Sequence, residues 1–193
     1  GGSNVGVGRD ALGANTTGSN NTAVGKSALH TTTTSSNNTG IGFQALYTLN
    51  GGVSNAALGH NALFNGTTCD NNTAVGKSAM ENITSGSKNV AVGTNALDAA
   101  TTADDNTAVG YEALGANTSG TDNVAVGFGA LDANTEGDFN TACGSLSLST
   151  ATTADNNTAV GYGALYLLET GGKNTAVGRD AGVNVTTGAQ NVY

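Results

Sequence analysis

The side chains able to do chemistry are few and widely spaced. The chain has two histidines, His30 and His60, two cysteines, Cys69 and Cys143, and fourteen Asp plus Glu among 193 residues. Neither histidine has a Ser or Cys at a fixed offset, so no nucleophilic triad and no His/Cys metal cluster assembles from the spacing. Gly25-Lys26-Ser27 and Gly76-Lys77-Ser78 match the end of a phosphate-binding loop. The glycine which that loop needs five residues earlier is Asn20 and Asn71, so the motif is rejected. Asp104, Asp105, Asp122, Asp138 and Asp155 recur at neighbouring positions and are weak calcium candidates, without the Gly-rich pattern that accompanies such sites. The expectation is a non-enzymatic chain with no cofactor.

What positions these residues is a period. Asn4, Asn21, Asn38, Asn55, Asn72, Asn89, Asn106, Asn123, Asn140, Asn157, Asn174 and Asn191 follow one another at intervals of 17, each of the first eleven with Gly four residues later. The chain therefore divides into a partial repeat 1–3, eleven repeats over 4–190, and a partial repeat 191–193, read as a single array or as a window on a longer one. We number the slots of each repeat from its Asn. Slot 8 is Ala in ten of eleven repeats, slot 9 is Leu except at Met80 and Gly182, and slots 6, 7, 10 and 16 vary in charge and size.

A strict 17-residue period without insertions predicts an all-β parallel β-solenoid, a β-roll with one repeat per coil and about eleven coils, roughly 50 Å long at β spacing. Seventeen residues fit short strands and tight corners, whereas helical repeats run longer. Slots 1–4 are expected as a strand, with slots 4 and 9 buried and Gly at slot 5 turning a corner. A bend is expected to turn Ala and Leu of slots 8 and 9 inward together. Ser145-Leu146-Ser147-Leu148-Ser149 alternates instead, as a strand does. The asparagines of slot 1 are expected to stack in a structural amide ladder.

Cys143 at slot 4 is expected to be a small buried apolar residue, and Cys69 to lie too many coils away to bridge it. A formal charge of −8 gives no counterion-release drive toward nucleic acid and no attraction to anionic lipid. No apolar run approaches the roughly 18 residues of a membrane span. The reading is a soluble or already processed chain with neither partner.

Thr33, Thr67, Thr84, Thr101, Thr118, Thr135 and Thr152 of slot 13 make a column of hydroxyls and methyls, for which ice binding is a lesser alternative. Adjacent slots 13 and 14 cannot both face outward on one flat strand. Sequons at Asn15, Asn20, Asn37, Asn65, Asn71, Asn82, Asn117, Asn156 and Asn184 are possible glycosylation sites. Phe43, Tyr47, Tyr111, Phe128, Tyr162, Tyr166, Leu167 and Leu168 are the expected interface, with the Tyr166–Leu168 run the first choice.

Asn72-Thr73-Ala74-Val75-Gly76 and Asn106-Thr107-Ala108-Val109-Gly110, each followed by Ala-Leu, resemble the head repeats of trimeric autotransporter adhesins and related phage tail-fibre and bacterial surface-fibre repeats. The likeness covers nearly the whole chain, although the repeat here is longer around slots 10–16. It implies a parallel β-roll displayed on a cell surface or virion, with attachment as its role. The expected function is an extracellular shaft or head module, or alternatively a subunit of a self-stacking extracellular filament. The expected partners are copies of itself, as a trimer or end to end, and a host-surface protein or glycan.

Overall fold

Each repeat contributes one three-residue strand, and nothing else in it is regular. In the computed structural model, which describes residues 1–193, these are β1 (Val5–Val7), β2 (Thr22–Val24), β3 (Thr39–Ile41), β4 (Ala56–Leu58), β5 (Thr73–Val75), β6 (Val90–Val92), β7 (Thr107–Val109), β8 (Val124–Val126), β9 (Thr141–Cys143), β10 (Thr158–Val160) and β11 (Thr175–Val177). They pair in chain order as one eleven-stranded parallel sheet, an all-β solenoid of about ten turns. Register is strict: Thr73 lies opposite Val90, Ala74 opposite Ala91 and Val75 opposite Val92.

The hydrogen bonds run mostly outside that sheet. Of 124 backbone–backbone bonds, 104 have at least one end outside the three-residue strands, so the bends are stacked as tightly as the strands. In the coil that starts at Asn89, Val90 N donates to Asn106 O and Leu97 N to Ala113 O of the following coil. Gly93 N and Asn95 N donate backward, to Val75 O and Lys77 O. Parallel stacking thus meets the demand for a partner at buried amides, coil after coil.

The corners use unusual backbone angles. Slots 7, 9 and 17 hold non-glycine residues in the left-handed region, for example Glu112 at φ 54°, Leu114 at φ 51° and Asp105 at φ 57°. That conformation costs a residue with a Cβ about 1–2 kcal/mol, and the stack repeats it because a left-handed residue at slot 9 aims Ala and Leu into the interior together. Gly25 at slot 5 has φ 136°, and a methyl group there would run into the carbonyl of Gly42. The corner glycine is therefore set both by its angle and by the coil stacked beside it.

Three expectations about direction change. The inward residue of the strand is slot 3, where Ala74, Ala91 and Ala108 are fully buried, and slot 4 faces out, with Leu58 49% exposed and Val126 37%. A narrow interior accepts only Ala or Gly at the strand, so the aliphatic side chains of slots 2 and 4 stand outside. Cys143 is accordingly exposed. Ser145–Ser149 is a turn like its counterparts, with Leu146 at φ 58° and Leu148 at φ 50°. Its alternation of residue types does not override the hydrogen bonds of the coils on either side.

Candidate functional site

The interior is committed to structure. Asn106 illustrates slot 1: its backbone N donates to Asn89 Oδ1 at 2.9 Å, and its Nδ2 donates to Gly120 O at 2.8 Å across the same coil. Asn123 N then donates to Asn106 Oδ1 at 3.0 Å. Each buried amide thus ties two coils and closes its own. Slot 16 carries a second ladder that the sequence reading missed. Ser87 N donates to Asp104 Oδ1 at 2.6 Å, Thr121 N to Asp138 Oδ1 at 2.7 Å and Asp138 N to Asp155 Oδ1 at 2.8 Å. Those carboxylates hold backbone amides of the preceding coil. Asp122 is exposed at slot 17, and no group of three His, Cys, Asp or Glu side chains is placed to hold a metal ion.

Slots 12 and 15 form a third feature absent from the sequence reading. Their residue types change from coil to coil but compensate in size: Leu49 with Gly52, Gly66 with Cys69, Ile83 with Gly86, Ala100 with Ala103, Asn117 with Gly120 and Leu168 with Gly171. A methyl on Gly52 would run into the Cys69 carbonyl of the next coil and lie 2.5 Å from Leu49 Cδ1, and one on Gly171 would run into the Gly188 carbonyl and lie 2.7 Å from Leu168 Cδ1. Leu168 is therefore fully buried, which removes it from the expected interface. Asn117 is buried as well, donating through Nδ2 to Gly120 O at 3.0 Å and accepting from Asn134 Nδ2 at 2.9 Å. A glycan on Asn117 is incompatible with the fold. Asn20, Asn37, Asn71, Asn82, Asn156 and Asn184 are exposed, while Asn15 and Asn65 are half-buried.

Beyond the exposed corner of slots 13–17, two outward surfaces remain. The first is the turn side, where slots 6 and 10 form ring columns. Phe43 stacks on His60 with centroids 5.1 Å apart, and Tyr111 on Phe128 at 5.5 Å. His30, Tyr47 and Phe64 continue one another at 5.3 and 5.1 Å. Arg179 lies 5.4 Å from the Tyr162 ring. Tyr162 and Tyr166 flank Gly163, whose missing side chain leaves a cleft of about 230 Å³ closed by Leu146, Asp180 and Val183. Further along this side, Asn95, Asp98, Glu112 and Asp132 surround Gly115 in an acidic cleft of about 260 Å³. Burial and then the charge of Glu81 push the Asp98 carboxyl up, and burial and then Glu112 do the same to Asp132.

The second surface is the outer face of the sheet, made by slots 2 and 4. Slot 2 is Thr in seven of eleven coils and slot 4 is aliphatic in all but Cys143. No slot-2 threonine gives its hydroxyl to a protein acceptor. The slot-13 hydroxyls, by contrast, donate to the next coil, as Thr84 to Thr101 O at 2.9 Å and Thr118 to Thr135 O at 2.9 Å. Slots 13 and 14 are both exposed, at Thr67 and Thr68 for example, because the chain bends there.

Both cysteines are free, and burial pushes the Cys69 thiol up to about 12. No family model, no curated protein and no solved structure matches this chain.

Proposed function

We propose that this chain is a non-enzymatic structural module, a stiff rod that serves as the shaft or head of an extracellular adhesin or tail fibre. The observation that carries this reading is the unbroken ladder of slot 1, in which each buried Asn locks its coil to the next from Asn21 through Asn174. A stack in which every coil is held by the same bonds resists bending as a unit and presents its outer columns at fixed spacing. The exposed rings at Phe43, Tyr111, Phe128 and Tyr162, with Leu167 beside them in the run, supply the contact surface for sister chains or for a host protein or glycan. The resemblance to adhesin heads and tail-fibre repeats supports the same role and an extracellular, cell-surface or virion location.

Small-angle scattering with sedimentation tests the rod: a maximum dimension of about 50 Å per chain, or a bundle of such rods, is expected, and a compact sphere of the same mass sinks the proposal. Cell-surface and glycan-array binding tests attachment. Binding should fall in a Phe43→Ser, Tyr111→Ser, Phe128→Ser triple variant, and signal equal to that of the variant rules against the aromatic columns. End-to-end stacking is favoured by one observation, that each coil's bonding pattern is met by another copy of itself. Micrometre fibres in electron micrographs of the isolated chain would establish it.

A further inference from the structure

We propose that the outer face of the sheet, slots 2 and 4 of β1–β11, binds the surface of ice. The argument rests on this face alone and is independent of the fibre reading. Three observations converge there. The strands are paired in strict register, so like side chains repeat at about 4.8 Å across the strands and at about 6.6 Å along each strand between slots 2 and 4. These repeats are close to those of oxygen rows on the faces of hexagonal ice. None of the chain's charged residues, six basic and fourteen acidic, occupies any of the 22 positions of slots 2 and 4 in the eleven strands. Thr22, Thr73, Thr107 and Thr158 stand for a file whose hydroxyls have no protein acceptor, beside a file of exposed methyls at Val92, Val126 and Val160.

The chemistry follows from that pairing. Water over a methyl keeps its hydrogen bonds only by ordering around it, and a free hydroxyl in the next file anchors that layer by donating and accepting. On a rigid lattice of such pairs the ordered layer is already in register with ice, and small contributions from each rung add along the whole stack. A charge anywhere on the face would orient water radially and break the pattern. A dry protein partner is disfavoured, because covering seven hydroxyls without acceptors opposite them leaves each one unsatisfied. The slot-13 threonines, the lesser alternative of the sequence, are excluded because their hydroxyls already bond to the neighbouring coil.

Thermal hysteresis and crystal shaping by the full chain test this. The wild type is expected to hold a gap between melting and freezing and to facet the crystal. Thr107→Lys and Val124→Lys, both at outward strand positions, are expected to lose most of that gap, while Ser119→Lys, exposed at slot 14, keeps it. Circular dichroism identifies whichever lysine variant retains the fold, and one folded variant suffices. A wild-type gap equal to that of buffer overturns the proposal. So does an undiminished gap in a folded Thr107→Lys chain, or a sedimenting oligomer that the same substitution dissolves, which would make the face an interface between copies.

Discussion

At the scale of single residues, the pairing of slots 12 and 15 shows how a repeat varies without loosening its core. Leu49 is fully buried, and its Cδ1, together with the carbonyl of Cys69 in the next coil, occupies the space a side chain at Gly52 would need. Leu49→Ala alone is expected to cost about 2–5 kcal/mol as a cavity, and Gly52→Ala alone about 1–3 kcal/mol as a clash. The double substitution recreates the Ala100/Ala103 pair, so its cost should fall below the sum by about 0.5–3 kcal/mol. Denaturant melts of the four chains check this, and strict additivity would refute the compensation. The two thiols diverge for a related reason, since slot 15 faces in and slot 4 out. Folded protein at pH 8 should titrate with one equivalent of thiol reagent, at Cys143, and unfolded protein with two. Because the folded Cys69 is raised from 9.0 to about 12, its contribution to stability is complete below pH 9. It is lost as pH rises from there toward 12, a decline that Cys69→Ala should flatten.

At the scale of the coil, stacking forces like slots together whether or not their charges agree. Glu81 and Asp98 sit at slot 10 of successive coils, and the carboxyl of Asp98 is raised by burial and by that neighbour. A raised carboxyl favours the folded state when protonated, so this group's contribution is present below the ordinary value of 3.8 and is lost as pH rises through the folded value. Asp98→Asn should therefore stabilise the protein at pH 7 by about 0.5 kcal/mol, discounted for solvent screening, and by less at pH 4. Thermal melts at both pH values decide it, and an equal shift at each would show that charge is not the cause. The coil also shows what was legible beforehand. The period, the asparagines and the corner glycine were visible because their residue types never change. Slot 4 departs from its expected burial because aliphatic type alone does not mark the inside, whereas the uniformly small Ala or Gly of slot 3 does. Slots 12 and 15 were illegible one at a time, since the size accepted at one depends on the residue at the other. The hydrogen-bonding side chains of slot 16 vary in type because Ser and Asp accept the amide there alike.

At the scale of the molecule, stability should behave as a sum over neighbours, because each coil bonds only to the one before and the one after. Removing residues 89–105 as a block is the direct test. Lys88, now 3.6 Å from Asp105, would then meet Asp122 at the same slot, Ser87 would meet Thr121, and Asn106 would take its place behind Asn72. The shortened chain should fold and melt cooperatively, with a rod about 4.8 Å shorter. Deleting Ala108 alone should be far more damaging, though it removes one residue in place of seventeen. It shifts Val109 and Gly110 against Val92, Gly93, Val126 and Gly127 on both sides, placing a valine side chain in a column sized for alanine. Scattering and thermal melts of the two deletions compare length with register. If the loss of Ala108 proved the milder, the coils would not be held by slot-to-slot matching, and the rigidity on which both the fibre and the ice-binding face depend would have to come from elsewhere.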